Sequence, residues 1–451
     1  MSFPITLHSP IRFPGPLPQA ADVVVLGGGI IGVMTAYYLA LAGQKVVLCE
    51  KGRIAGEQSS RNWGWIRQQG RDKDELPIVV ESMRLWQGFA QRFGDALGFR
   101  QTGVVYLANT DKALEGYEAF LPHAQANGVD TRMMARHEIE ALLGTSAQWK
   151  GGMITPSDAR AEPFVAVPLL ADLAAEAGVC IVENCAVRAL DVQAGAVVGV
   201  VTEQGRVRAA RVMVAGGAWS RLFLAAHGVA IPQLSVLASV AQSEPMPEIF
   251  PGAAADDHFA FRRRMDGGYT LAPGAEHDFF IGPDAFGSFG RYLPVLKQDF
   301  RSTHFRALAP KGYPDAWTTP RRWGDGPSPF EAMRILNPAP NRASLSRVQD
   351  RFAAAFPGLG RPKLRSAWAG MIDTMPDVVP IVGHAPIPGL TIATGMSGHG
   401  FGIGPGIGRV VADLVMGRAT GHDLSRFRLS RFSDGSAPQV GPALALIKRS
   451  D

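Results

Sequence analysis

The β-branched run Val23-Val24-Val25-Leu26 enters a cluster of glycines and leaves it as an apolar stretch with helical spacing, a pattern that predicts strand, tight turn and helix. Residues 45–50 read as a second strand. Residues 76–97 read as an amphipathic helix with Pro77 in its first turn, where the missing N–H costs little. A short strand at 103–107 and helices at 114–127 and 137–143 follow. Glu162-Pro163 opens a further helix reaching about 177, with Pro168 as a local interruption at most. Strands are expected at 179–182 and 197–202. Residues 211–214 read as a buried strand feeding a glycine turn and a helix, at the outer part of a parallel sheet. From about 231 to 352 helical periodicity fades. Strand-like pieces at 258–262 and 268–271 suggest a region dominated by antiparallel sheet. Residues 389–395 then read as a strand ending in a turn, 396–408 are glycine-rich, and 407–416 close as a helix.

The first turn carries G-x-G-x-x-G as Gly27, Gly29 and Gly32, and the second strand ends in Glu50. Gly27 permits the turn, Gly29 lets a diphosphate approach bare backbone, and Gly32 lets the helix press on the strand. Free N–H groups of Ile30 and Ile31 and the helix dipole favour negative charge there. An acid about 20 residues past the glycines suits ribose hydroxyls, so a Rossmann-like dinucleotide site is the expectation, with Lys51 beside that acid.

Composition narrows the class without naming a reaction. A 451-residue chain with 46% hydrophobic and 19% charged residues is ordinary globular protein of two to three domains. The net charge of +5 comes with no basic run interleaved with aromatics, which argues against nucleic-acid binding. Cys49, Cys180 and Cys185 have no metal-ligand spacing, so no metal is expected and a reducing compartment is. Residues 23–43 lack charge, but they are already explained as strand, turn and helix and are not read as a membrane span. The proline-bearing residues 1–21 read as an extended arm lying on the domain. A cytoplasmic location is the expectation, with peripheral membrane contact left open.

Several motifs in order resemble the flavin-dependent amino-acid oxidase superfamily, which includes D-amino-acid, glycine and sarcosine oxidases. They are the glycine motif, Ser59-Ser60-Arg61, Val214-Ala215-Gly216-Gly217-Ala218-Trp219-Ser220, Pro376-Asp377-Val378-Val379-Pro380 and Ala393-Thr394-Gly395. Within it the chain is most similar to bacterial L-amino-acid deaminases, through Gly15-Pro16-Leu17-Pro18, Ile54-Ala55-Gly56-Glu57-Gln58, Arg291-Tyr292-Leu293-Pro294 and Ser328-Pro329-Phe330-Glu331. Two departures are noted: the N-terminal membrane anchor of those deaminases has no counterpart here, and Trp65 stands where they carry a substrate-holding glutamine.

The resemblance implies an α/β protein with a discontinuous FAD-binding domain (1–75, 150–228 and 355–435), an α+β substrate domain built on antiparallel sheet (76–149 and 229–354) and a tail at 436–451. It implies hydride transfer from the carbon beside an amine to flavin N5. The substrate would be an L- or N-substituted amino acid, and oxygen or a quinone the electron acceptor. Ser59, Ser60, Arg61, Asn62 and Gly64 are expected against the diphosphate and flavin. Val187 is expected to read adenine through its backbone, and Gly216, Gly217 and Trp219 to close the nucleotide site. The loop Gly395, Met396, Gly398, His399, Gly400, Phe401 and Gly402 would pass the flavin's pyrimidine edge, with His399 stabilising charge there. Arg262, at the end of a strand in Phe261-Arg262-Arg263-Arg264, is the expected carboxylate clamp, since a guanidinium fork matches a carboxylate at two points. Trp65 is expected in the substrate wall. No cysteine follows Cys185, which excludes a flavin thioether from the C-terminal half. Oxidation of a 2-hydroxy acid or a D-amino acid, and a non-catalytic dinucleotide-binding role, are the alternatives.

Overall fold

A computed structural model describes residues 3–145, 149–299, 302–324, 326–437 and 439–441. Most of the tail expected at 436–451 lies outside the described residues.

Two large sheets organise the chain. The first has six strands in the order Ile381–His384, Leu390–Thr394, Arg211–Val214, Val23–Leu26, Val46–Cys49, Cys180–Val182. Every neighbouring pair is parallel except the first. Strand Arg211–Val214 lies directly beside Val23–Leu26, inside the sheet rather than at its outer part. Buried on both faces, its Val212-Met213-Val214 needs no polar alternation, which is why its sequence reads as a continuous apolar run.

The second sheet has ten strands and is mainly antiparallel. Parallel pairings join Ala253–Ala255 to Val104–Ala108 and His277–Phe280 to Thr303–Arg306. Two of its strands fall in segments expected to belong to the cofactor domain. Gly151–Thr155 pairs with Val104–Ala108, and Leu364–Thr374 pairs along its length with Leu234–Ser243.

The helices also depart from expectation in instructive ways. The 114–127 segment is two helices, Asp111–Glu118 and Leu121–Ala126, the second carrying a proline in its first turn. The helix at 76–97 stops at Phe93, where Gly94 takes φ 57°, and one turn of 3₁₀ helix follows. Pro283–Asp299 is helical inside the region read as sheet. The last long helix, Gly400–Val415, starts seven residues before the periodic segment and runs through five glycines and Pro405. Its glycines are contact points: a side chain on Gly404 would meet Ile30, and one on Gly406 would meet Ile78 O. Close packing against Ile30–Leu41 and Leu76–Phe93 outweighs the poor helix propensity of glycine.

Residues 3–21 lie on the first sheet's domain as an arm. Arg53 donates to Ser9 O and Leu7 O, and Glu183 accepts from the backbone of Arg12 and Phe13.

Candidate active site

A cavity of about 720 Å³ runs between the two sheets, from the carboxyl ends of the parallel strands to the face of the larger sheet. At one end lie Gly27, Gly29, Ile30, Ile31, Glu50, Lys51 and Val187. Helix Ile30–Leu41 starts there with no side-chain cap. Ser59 Oγ accepts from Ile30 N–H at 2.9 Å and lies 3.1 Å from where a side-chain carbon on Gly29 would sit, so only glycine leaves this surface bare. Gly27 takes φ +103°, and a side chain on Gly32 would overlap Gly27 O. Gly32 therefore sits off the cavity and acts by letting helix and strand touch. Glu50 accepts from Gly28 N–H and Gly52 N–H, both at 2.7 Å. Burial pushes its carboxyl up to about 7, against the pull of Lys51. A partly buried acid on the cavity wall, next to a helix N-terminus and bare glycine backbone, fits a dinucleotide such as FAD.

The middle of the cavity is walled by Ser59, Asn62, Gly216, Gly217, Trp219 and the run from Met396 to Gly402. Asn62 holds the loop's shape, accepting from Gly64 N–H at 2.8 Å and donating to Ser59 O at 3.0 Å. Glu57, part of the Ile54–Gln58 motif but not an expected site residue, ties three elements together here. It accepts from Lys51 Nζ at 2.7 Å, from Trp219 Nε1 at 3.0 Å and from Leu336 N–H at 3.0 Å. Lys51 Nζ also sits 4.4 Å from the centre of the Trp219 ring. Asp373 is another unmarked wall residue. Its Oδ2 accepts from Gly395 N–H at 2.8 Å, its Oδ1 has no partner, and burial pushes its carboxyl up to about 6.

Several expected ligand contacts serve structure instead. Arg61 reaches the cavity wall, but its guanidinium donates to Gly56 O, Asn337 Oδ1, Ala369 O and Ile5 O, pinning the N-terminal arm and the larger sheet to the loop. Ser60 is buried behind the wall, and Gly64 is packed against Ala161 O and Arg262. Gly395 lies behind Met396, with Met375 filling the space a side chain would need.

The expected clamp is the largest correction. Arg262 is 1% exposed and lies outside the cavity wall. Its Nη1 and Nη2 donate to Glu162 Oε1 and Oε2 at 2.9 and 3.0 Å, and its Nε donates to Trp63 O. The fork that would hold a substrate carboxylate is filled by one from the protein.

The far end of the cavity instead presents Arg67 and Arg71, with Trp63, Trp65, Tyr106 and His399. Trp63 and Trp65 meet edge-on at 5.3 Å, and Arg67 lies 5.6 Å from the centre of the Tyr106 ring. The 67–69 turn is set by Asp158, which accepts from Gln68 N–H at 2.7 Å and Gln69 N–H at 3.2 Å. Burial, with Arg71 and Arg67 nearby, holds the His399 imidazole well below its ordinary range and so favours its neutral form. Its Nδ1 is buried without a partner. The sequence signal for this end was the four-residue spacing of Arg67, Arg71 and Glu75 directly after the aromatic loop. Phe279, Phe286, Phe289, Tyr292 and Phe305 complete an apolar side. Among the described residues no cluster of side chains could hold a metal ion, and no helix is long and apolar enough to cross a membrane.

Known proteins share this fold. The family model described as FAD dependent oxidoreductase matches residues 22–414. The solved L-amino acid deaminase from Proteus myxofaciens, in complex with anthranilate, superposes with a TM-score of 0.88 at 31% identity, covering 94% of this chain and 98% of that one. The L-amino acid deaminase from Proteus vulgaris gives 0.86 at 31% identity, covering 93% and 98%. Sarcosine oxidase subunit beta from Rhizobium meliloti is 26% identical over 94% of this chain and 91% of its own length. Mitochondrial dimethylglycine dehydrogenase from Mus musculus is 24% identical over 94% of this chain, which spans only 46% of that protein. A family match over most of the chain, with a cavity whose glycine cradle and wall acid suit the same cofactor, leads to one conclusion: the chain belongs to the FAD dependent oxidoreductase family and is a flavin-dependent enzyme.

Proposed function

We propose that this enzyme oxidises the C–N bond of an amino acid, either an L-amino acid or an N-substituted one, to an imine that water converts to a 2-oxo acid or an equivalent product. The observation that carries this reading is one continuous cavity with a dinucleotide cradle at one end and a basic, aromatic chamber at the other. The reactions named for the similar proteins, deamination of L-amino acids and oxidation of sarcosine, agree with it. When bound, FAD supplies the two-electron acceptor. The residues hold the cofactor by the cradle and exclude water with Trp63, Trp65 and Tyr106. Arg67 and Arg71 place positive charge in the chamber, and His399 in its favoured neutral form adds none that would repel an amine. The electron acceptor is oxygen or a quinone. Peripheral membrane contact belongs to the same reading, supported by exposed Phe286, Phe289, Leu308 and Trp317.

Anaerobic addition of L-, D- and N-methyl amino acids and matched 2-hydroxy acids to the purified yellow protein tests the reaction. Bleaching of the flavin by one amine class is expected. Bleaching by hydroxy acids alone would replace C–N with C–O oxidation. Oxygen uptake compared with reduction of a soluble quinone then identifies the acceptor, and vesicle flotation tests membrane contact.

A further inference from the structure

We infer that Asp373 is a positioning residue for the flavin: by accepting the backbone N–H groups of Gly395, Met396 and Ser397 it fixes the loop that walls the middle of the cavity. The inference rests on FAD as the cofactor and not on the identity of the substrate.

Three successive N–H groups end on one residue. Asp373 Oδ2 accepts from Gly395 N–H at 2.8 Å and from Met396 N–H at 3.3 Å, and its backbone O accepts from Ser397 N–H at 2.9 Å. Consecutive N–H groups that converge on one point make a cradle for an anion, and here the chain supplies the anion itself. The loop needs this hold because its backbone is unfavourable. Gly395, Ser397 and Gly398 take φ 73°, 50° and 81°. For Ser397, which carries a Cβ, the left-handed region has a steric cost. Ser397 Oγ lends a little support, accepting from Met375 N–H at 3.2 Å and donating to Gly395 O at 3.1 Å. Met396, Ser397 and Gly398 line the cavity, so the shape of this loop is the shape of the wall offered to a bound flavin.

Asp373 is itself held from both sheets. It stands near the end of Leu364–Thr374, opposite Ser235 in the larger sheet, whereas the loop follows Leu390–Thr394 of the parallel sheet. Its N–H faces Gln58 Oε1 at 3.4 Å, in the short helix Gln58–Arg61. Thr394 Oγ1 lies 3.4 Å from Asp373 Oδ2 and 2.8 Å from both Gln233 Oε1 and Ser220 Oγ. The residue is 2% exposed. Hydrogen bonds rather than an ion pair carry its charge: burial pushes the carboxyl up to about 6 against the pull of the Gly395 and Met396 N–H groups. Oδ1 is enclosed without a partner. An amide side chain can therefore keep the acceptor at Oδ2 and set its NH2 where Oδ1 stands. An apolar side chain leaves the buried N–H groups of Gly395 and Met396 bare, which costs more than an ordinary lost contact.

The test titrates FAD into apoprotein, read by quenching of flavin fluorescence, and compares the visible spectra of the loaded forms. Neither readout needs turnover, so failure of the amino-acid reading leaves both standing. Asp373→Asn keeps an acceptor and drops the charge. Its FAD Kd should stay within about threefold of the unchanged protein, and its flavin bands should not move. Asp373→Leu has a similar volume and no acceptor. Its Kd should rise at least about tenfold, and its flavin spectrum should shift toward that of free FAD. A residue that only held the sheets together would lower the melting temperature of the Leu variant and leave Kd and spectrum unchanged, and that result would overturn the assignment. Asn failing as badly as Leu would overturn it too, because charge and not hydrogen-bond acceptance would then be at work. If Asp373→Leu does not fold, hydrogen exchange on the unchanged apoprotein decides. The amides of Gly395, Met396 and Ser397 should be protected, and exchange at the rate of an unfolded peptide would remove the fixed loop on which the assignment stands.

Discussion

Glu162 grips Arg262 by both arms in the protein interior, with N···O distances of 2.9 and 3.0 Å. Burial alone would push the Glu162 carboxyl up, but the charge and hydrogen bonds of Arg262, helped by Arg264, hold it at about 2. Because Arg262 Nε also donates to Trp63 O, this pair positions the aromatic wall of the chamber without touching it.

Breaking that pair strands a charge. Arg262→Ala should destabilise the protein by about 3–5 kcal/mol, measured by denaturant unfolding, since Glu162 is left buried without its main partner. Replacing both residues by uncharged ones of similar size should cost much less. Glu162 ionises more readily folded than unfolded, so its contribution is present above its ordinary value of 4.5 and is lost as pH falls toward 2.

Glu50 behaves in the opposite sense. Its folded carboxyl titrates near 7 rather than 4.5, so the folded apoprotein holds a proton the unfolded chain has released. Its contribution is present below pH 4.5 and is lost as pH rises through 7. The melting temperature of apoprotein should therefore fall over this window, and Glu50→Gln should reduce the fall by several degrees. The same variant should bind FAD more weakly at neutral pH, read by flavin release on dilution, because an amide is a poorer acceptor for ribose hydroxyls.

Gly32→Ala should abolish FAD loading. Its methyl group would overlap Gly27 O, and helix and strand must separate to admit it, which displaces the helix end that faces the diphosphate. The purified variant should be colourless or insoluble. Gly29→Ala meets only Ser59 Oγ at 3.1 Å, and should load FAD with reduced affinity.

Trp65 separates packing from chemistry. It is 9% exposed, lines the chamber and contacts Trp63 and Tyr106. Trp65→Ala should raise KM about tenfold or more with a smaller change in flavin reduction at saturation, because it enlarges the chamber without removing a charged contact. An equal fall in kcat and kcat/KM would instead assign Trp65 a transition-state contact.

The parts legible in the sequence are those determined by neighbours along the chain. The strand, glycine turn and helix around Gly27, and the acid at Glu50, depend on backbone freedom and local spacing, and they appear where expected. The strand at 390–394 and the glycine run after it also place wall residues of the cavity. The helix Gly400–Val415 was half hidden because its glycines disfavour a helix locally; only contact with Ile30–Leu41 and Leu76–Phe93 rewards them. Arg262 and Arg67 show the limit most clearly. Both are arginines beside aromatic residues, and nothing in their local sequence says which one is free. Glu162, a hundred positions before Arg262, decides it by supplying the carboxylate that a ligand would otherwise supply. Pairing of buried charges is settled by distance in space, and that is a property of the folded chain alone.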